Sequence, residues 1–179
     1  LRSKNQGLLT SYITVNTDNP RLNCRINGLE KFSPTIIVID RDLQIKLNSL
    51  IFNKMNKKKI IIFHKSKNLS KIKKLKTKGI TLINFKTEKD NYFDLKKIFQ
   101  KIYKLGINSV LVECGSNITR KMLLKNLFNE FYFFRSNKML NNRQKINVLD
   151  IKSKLDKKFK LVSKKDPNIL DLQKTLEEK

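Results

Sequence analysis

The sequence predicts an α/β fold with a mostly parallel central sheet that is covered by helices on both faces. Short apolar runs, which are typical of buried strands, alternate along the chain with amphipathic segments of helical spacing. A strand, a small-residue turn and a helix follow one another over residues 108–121, which is the order found at the carboxyl edge of a parallel sheet. Because parallel strands need crossover connections, the alternation favours helices on both faces of one sheet.

Five short runs that are rich in Val, Ile and Leu predict the strands of this sheet. In chain order they are residues 8–9, 34–40, 60–63, 80–83 and 109–112. Each of these runs ends at or just before a polar residue, as strands of ordinary length do. The aromatic run at residues 129–134 predicts a further strand at the other flank of the sheet.

Two lysine-rich segments predict amphipathic helices over residues 69–78 and 94–105. Glycine lies just beyond each segment, where it commonly ends a helix. A third helix is predicted after the turn at residues 114–117, with Ser116 or Asn117 as its N-cap. These helices supply the connections that a parallel sheet requires.

The carboxyl-terminal part of the sequence gives weaker patterns. Residues 144–162 are expected to contain two strands, whereas the polar segment after Asp166–Pro167 is assigned no structure. The sequence therefore predicts one domain over residues 1–163 and a polar tail over residues 164–179.

Lysine dominates the charge of the chain, since 40 Lys and Arg residues against 15 Asp and Glu residues give a net charge of +25. Such an excess attracts phosphate groups on nucleic acids, membranes or small molecules. The lysines are spread along the chain, which favours a solvated surface over a nucleic-acid footprint. No apolar run approaches the length of a membrane span, and the use of two cysteines, Cys24 and Cys114, indicates a reducing, cytoplasmic setting.

The candidate site lies where the valine-rich strand ends, at Glu113. The turn and helix start at Gly115–Lys121 would offer backbone N–H groups and the positive end of a helix dipole to phosphate. Arg2 and Arg25 could clamp a second phosphate through paired hydrogen bonds. The polar segment Thr14–Arg25, interpreted locally as a surface loop, completes the set. These groups suit a phosphorylated substrate beside a phosphorylated cofactor.

Other candidate groups suit structural roles better. His64 is the only histidine, and without catalytic partners it is interpreted as a surface or hydrogen-bonded residue. Cys114 has no neighbouring base and is interpreted as a small buried thiol. The sequence contains no glycine-rich dinucleotide fingerprint, no Walker loop and no paired-histidine zinc motif. No metal site and no catalytic acid are assigned.

The spacing of the candidate residues resembles the reductase domain of bacterial riboflavin biosynthesis, over about residues 1–140. The matching positions are Arg2, Thr14, Asp18-Asn19-Pro20, Leu22, Arg25, the strand that ends at Asp40, Val110-Leu111-Val112-Glu113-x-Gly115 and Leu127-Phe128-Asn129-Glu130. In most bacteria that domain is the carboxyl-terminal half of a bifunctional pyrimidine deaminase/reductase. The resemblance implies a dihydrofolate-reductase-like fold, NADPH as hydride donor and a homodimer.

The resemblance also implies a reaction and roles for individual residues. The reaction would be the reduction of the ribosyl group of 5-amino-6-(5-phosphoribosylamino)uracil to the ribityl form. Substrate contacts are implied for Arg2, Leu22, Arg25 and Glu113. NADPH contacts are implied for Thr14, Asp18, Arg41, Gly115, Ser116, Asn117, Ile118, Thr119, Arg120 and Lys121.

The sequence departs from the family pattern at three places. Ser11 stands where a glycine usually closes the first strand, Gln6-Gly7 replaces an Asp-Ala pair, and Asn141 replaces a glycine. Because the sequence begins inside the pattern at Leu1, we expect the usual amino-terminal strand to precede it, together with a zinc deaminase domain if the protein is bifunctional. Two alternatives stay open, namely a basic nucleic-acid-binding module and a degenerate reductase fold kept as a dimerisation scaffold.

Overall fold

The first part of the chain is built around a five-stranded parallel sheet. The computed structural model describes residues 1–53, 59–134, 160–166 and 169–173. The strands are β1 (Gly7–Ser11), β2 (Thr35–Ile39), β3 (Ile60–His64), β4 (Thr81–Asn84) and β5 (Val110–Val112). Their order in space is β4-β3-β2-β1-β5, and each neighbouring pair is parallel. The predicted parallel α/β sheet is confirmed.

Four α-helices lie in the described residues. They are α1 (Tyr12–Asp18), α2 (Leu69–Thr77), α3 (Leu95–Lys104) and α4 (Ser116–Lys125). The positions of α2 and α3 agree with the two predicted amphipathic segments. Asn68 caps α2 and Asp94 caps α3, because each side chain accepts a hydrogen bond from a backbone N–H of the first turn.

The sheet separates two apolar layers, because successive side chains of a strand point to opposite faces. One layer joins α1 and α2 to the sheet, and the other joins α3 to the sheet. The first includes Leu8, Val15, Ile36, Val38, Ile62 and Leu75. The second includes Leu9, Ile37, Ile61, Phe63, Ile98 and Ile102. The expectation of helices on both faces is therefore confirmed.

The segment Thr14–Arg25 was interpreted as a surface loop, which was wrong for residues 14–18, because they belong to helix α1. Ser11 Oγ accepts a hydrogen bond from the Thr14 N–H at 3.2 Å and so caps the helix. Val15 is fully buried, and the chain leaves the helix at Asn19 with a left-handed φ of 43°. The sequence signal was weak because the helix has 7 residues, of which only Val15 is buried. The serine that departs from the family pattern thus has a structural role.

The chain divides after Gly115 into two units, residues 1–115 and 116–179. The second unit contains α4 and an antiparallel sheet of β6 (Glu130–Phe134), β7 (Lys160–Asp166) and β8 (Ile169–Gln173), in the order β6-β8-β7. The aromatic strand predicted at residues 129–134 is present as β6. It pairs with β8 in this antiparallel sheet, whereas the sequence placed it at the flank of the parallel one.

The structure adds a strand to the carboxyl-terminal part. Residues 164–179 were expected to form a polar tail, but residues 169–173 form β8, which pairs with β6 and β7. Strand pairing on both sides stabilises a segment whose own sequence pattern is too short to predict a strand. Two strands were expected within residues 144–162. Residues 144–159 lie outside the described residues, and residues 160–162 belong to β7.

Candidate active site

Glu113 follows β5 directly, at the edge of the parallel sheet where open α/β folds bind their ligands. Its N–H donates to the Leu9 carbonyl at 2.9 Å. The hydroxyl of Thr10, which is fully buried, donates to the Glu113 carbonyl at 2.8 Å. Two hydrogen bonds to β1 therefore fix the backbone from which the carboxylate projects.

Arg2 binds the Glu113 carboxylate through two parallel hydrogen bonds. Nε donates to Oε1 at 2.8 Å, and Nη2 donates to Oε2 at 2.7 Å. This bidentate geometry is a strong form of ion pair, and the hydrogen bond to Glu113 raises the pKa of Arg2 above its usual value, against the opposing effect of burial. The two side chains are 23% and 34% exposed, so a ligand can reach them.

The same guanidinium contacts a groove in the first unit. Arg2 Nη1 donates to the Asn23 carbonyl at 3.2 Å. The groove has a volume of about 560 Å³ and is lined by Asp18, Asn19, Pro20, Arg21, Asn23, Arg25 and Leu50. Two arginines against one aspartate make its lining basic. The structure therefore brings Arg2, Glu113 and the Arg25 groove together, although 111 residues separate Arg2 from Glu113.

Leu22 belongs to the same segment, but its side chain lies in the core. It is 2% exposed, and its φ is 52°, a left-handed value that side-chain-bearing residues rarely adopt. Burial of the side chain offsets the cost of this backbone conformation. Any contact between Leu22 and a substrate would therefore come from its backbone.

Two of the predicted cofactor contacts lie on α1. Thr14 Oγ1 is 3.1 Å from Ser11 Oγ, beside the helix cap. Asp18 is the last residue of α1, is exposed, and lines the groove. The structure thus places one predicted cofactor residue in the same groove as Arg25, which is a predicted substrate residue.

Arg41 lies just beyond β2, and its guanidinium is engaged by protein groups. Nε and Nη2 donate to Asp42 Oδ2 at 2.9 and 2.7 Å, and Nη1 donates to the Asn91 carbonyl at 2.8 Å. The hydrogen bond to Asp42 raises the pKa of Arg41. Because the pair is exposed, a cofactor phosphate at Arg41 would compete with Asp42.

The other predicted cofactor contacts begin at Gly115, the last residue of the first unit, and continue along α4. Helix α4 starts at Ser116, so Ser116 and Asn117 are helical residues and the prediction that they lie in the turn was wrong. The N–H groups in the first turn of a helix have no acceptor within that helix. The start of a helix is a place that suits an anion, and within its own unit α4 starts at Ser116.

Asp40 and His64 lie at the ends of β2 and β3. The Asp40 carboxylate accepts hydrogen bonds from the N–H groups of Gln44 and Ile45 at 2.7 and 2.8 Å, and burial raises its pKa. His64 is 4% exposed, so it is not a surface residue, and burial lowers its pKa. Within the described part of the chain, His64 Nδ1 has no hydrogen-bond partner.

Stability should fall as the pH drops below about 6.5, the ordinary pKa of histidine, because His64 has a lowered pKa in the folded protein. The folded state then binds fewer protons than the unfolded state, so acid favours unfolding. His64→Gln removes this titration. Urea unfolding between about pH 7 and pH 5 should show a smaller loss of stability in the variant than in the wild type. Asp40 also titrates in both proteins, so the prediction concerns only the difference between the two losses, and equal losses would contradict it.

Cys114, which was interpreted as a small buried thiol, is of intermediate exposure in the structure. Burial raises the pKa of this thiol to about 12, and Sγ lies 3.4 Å from the Leu9 carbonyl oxygen, which accepts its hydrogen bond. The thiolate, which is the nucleophilic form, is therefore scarce at neutral pH.

Three asparagines that received no individual role from the sequence hold α1 and residues 19–25 in place. Asn16 Oδ1 accepts from the Lys46 N–H at 2.9 Å, and Asn19 Oδ1 accepts from the Leu50 N–H at 2.8 Å. Asn23 contributes its backbone carbonyl, which any residue would supply. No residue-type signal could have identified that last contact.

Within residues 1–53, 59–134, 160–166 and 169–173, no three His, Cys, Asp or Glu side chains are grouped so that they could bind a metal ion. In the same ranges, no helix combines the length and apolar character that crossing a membrane requires.

A parallel sheet with charged groups at the carboxyl ends of its strands belongs to the class of open α/β domains, which bind their ligands at this edge. The RibD C-terminal domain family matches residues 1–170, and the chain belongs to this family. The match spans both units.

Curated and solved relatives agree with this assignment. Riboflavin biosynthesis protein RibD of Aquifex aeolicus is 29% identical over 169 residues, covering 94% of this chain and 45% of the relative. The 5-amino-6-(5-phosphoribosylamino)uracil reductase of Buchnera aphidicola is 28% identical over 182 residues, covering 94% of this chain and 86% of the relative. The solved structure of Acinetobacter baumannii RibD has a TM-score of 0.72 at 20% identity, covering 97% of this chain and 48% of that one.

The chain thus spans about half the length of the RibD relatives. The similarity to RibD structures confirms the expected dihydrofolate-reductase-like fold.

Proposed function

We propose that this chain reduces the ribosyl group of 5-amino-6-(5-phosphoribosylamino)uracil to the ribitylamino product, with NADPH as hydride donor. The observation that carries the proposal is the bidentate Arg2–Glu113 pair, which adjoins a basic groove lined by Arg25. The names of the relatives, which include a reductase of this substrate, support the same reaction. Riboflavin biosynthesis would be its metabolic setting.

The basic groove suits the phosphate of the substrate. Arginine binds phosphate through paired hydrogen bonds, and Arg25 stands in the groove with Arg21. Arg2 uses three of its five N–H donors on protein acceptors, which leaves two for a ligand. The Leu22 backbone is a further proposed substrate contact, and Glu113 belongs to the proposed substrate site through its pair with Arg2.

Each unit, taken by itself, also offers groups that suit a phosphorylated cofactor. In the first unit, Thr14 and Asp18 offer a hydroxyl and a carboxylate to ribose hydroxyls, and Arg41 offers a cation. In the second unit, α4 starts at Ser116, a helix start being a place that suits a phosphate, and Arg120 and Lys121 follow in the same helix. When bound, NADPH supplies the hydride, and the contribution of the protein is to align donor and acceptor.

Turnover tests the proposal directly. The intact protein should consume NADPH when the phosphorylated pyrimidine is added, and the loss of NADPH absorbance should match the formation of the ribityl product. The dephosphorylated pyrimidine is the matched control and should react poorly, because it cannot engage the arginines of the groove. NADPH that stays unoxidised with the full substrate would refute the proposal and would favour a non-catalytic scaffold.

The oligomeric state and the domain arrangement of the whole protein are part of the same proposal. A homodimer is the proposed assembly, and light scattering after size exclusion measures it. The alignment covers 45% of one RibD relative but 86% of the Buchnera reductase. We propose the bifunctional arrangement, and a zinc-deaminase motif upstream of Leu1 in the gene would support it.

A further inference from the structure

Arg2 joins two parts of the first unit that are distant in sequence. Its Nε and Nη2 atoms bind the carboxylate of Glu113, and its Nη1 atom binds the Asn23 carbonyl. The three contacts fix the plane of the guanidinium, since the Nε–Nη2 edge and one Nη1 donor are all engaged. The end of β5 is thereby connected to the wall of the groove.

The carboxylate end of this connection is rigid. The Glu113 N–H binds the Leu9 carbonyl, and the Glu113 carbonyl accepts from Thr10, a residue with no exposed surface. The groove end has supports of its own, since Asn19 Oδ1 accepts from the Leu50 N–H and the Cys24 N–H donates to Ser33 Oγ. Arg2 adds the contact that joins this segment to the end of β5.

We propose that Glu113 is a positioning residue that acts on the substrate through Arg2. It orients the guanidinium, and through the Asn23 carbonyl it holds the groove segment, residues 19–25, in the conformation that receives the substrate phosphate. This inference rests on the proposed function. It differs from an independent substrate contact, because Arg2 and Glu113 then act as one unit.

A double-mutant cycle separates these two roles in the intact protein. Arg2→Ala and Glu113→Ala should each raise the KM for the pyrimidine substrate about tenfold, and the double variant should show the same rise of about tenfold. The KM for NADPH should stay within about twofold in all three variants. Independent contacts would instead multiply to about a hundredfold in the double variant, which would overturn the proposal.

Conservative variants guard against a merely structural loss. Glu113→Gln keeps one acceptor for Arg2, so its KM should lie between those of the wild type and Glu113→Ala. Arg2→Lys keeps the charge but cannot make the paired hydrogen bonds, so it should not restore substrate affinity. A wild-type KM in Arg2→Lys would show that charge alone suffices and would contradict positioning.

Hydrogen exchange tests the connection without any substrate. Backbone amides of residues 19–25 should exchange about fivefold or more faster in Arg2→Ala and in Glu113→Ala than in the wild type. Lys101→Ala, on the exposed side of α3, is the control and should leave their exchange unchanged. Unchanged exchange in both site variants would overturn the proposal. An inactive wild type with the expected exchange would instead refute only the proposed function.

Discussion

Arg25→Ala should raise the KM for the phosphorylated pyrimidine roughly 100-fold, which corresponds to about 2.7 kcal/mol of lost binding. Arg25 is exposed and lines the basic groove, and no described residue is seen to form an ion pair with it. Its guanidinium is therefore available to a phosphate, and its loss removes charge-assisted hydrogen bonds that alanine cannot replace. Steady-state kinetics with saturating NADPH measures the effect.

The specificity of this effect has two controls. The KM for NADPH should stay within about twofold, because Arg25 is proposed to contact only the substrate. Lys101→Ala removes one positive charge from α3 and should change neither KM, which excludes a general effect of net charge. If Arg25→Ala and Lys101→Ala had the same substrate KM, Arg25 would not be a phosphate contact.

Phe63→Ala should lower the free energy of unfolding by about 3–5 kcal/mol. Phe63 is fully buried in β3 and packs in the layer that joins α3 to the sheet. Its ring meets Phe85 edge to face, with the centroids 5.5 Å apart. Truncation would remove this contact and leave a cavity between the sheet and the helix. Urea unfolding, followed by the far-ultraviolet signal, measures the loss as a lower midpoint.

An exposed aromatic residue provides the comparison. Tyr103 on α3 is 69% exposed, so Tyr103→Ala should change stability by no more than about 0.5 kcal/mol. Phe63→Leu keeps much of the buried volume and should lose less than Phe63→Ala, which keeps the test informative if the alanine variant fails to fold. A loss below about 1 kcal/mol in Phe63→Ala would show that the packing around β3 is described wrongly.

Local patterns were sufficient for the parallel sheet and its larger helices. The apolar runs at β2 and β3 are continuous because both faces of these strands are buried, at Ile37 and Val38 for example. The helical spacing in α3 places Ile98 and Ile102 on one face, and both are buried. Where burial sets the spacing of apolar residues along a segment, that spacing predicts whether the segment is a helix or a strand.

Elements that depend on distant partners were not predictable in this way. The short helix α1 has one buried residue, and β8 owes its strand structure to pairing with β6 and β7. In the candidate site, Glu113 at a strand end and Arg2 as a phosphate-binding arginine were predicted from the sequence itself, and the family resemblance implied the substrate as their ligand. It did not supply their mutual hydrogen bonds, nor the Asn23 carbonyl, because no local pattern encodes a contact across 111 residues.

The position of β1 in the sheet determines which of its two edges can pair first while the chain is being synthesised. This strand lies between β2 and β5, so one edge of it pairs early, whereas the other waits until residues 110–112 have left the ribosome. A nascent chain that stops before β5 exposes an unpaired strand edge, which invites association with other chains. Long-range pairing of this kind slows folding. The salt bridge between Arg2 and Glu113 therefore cannot form until residue 113 has left the ribosome, so the candidate site is one of the last features that the first unit acquires.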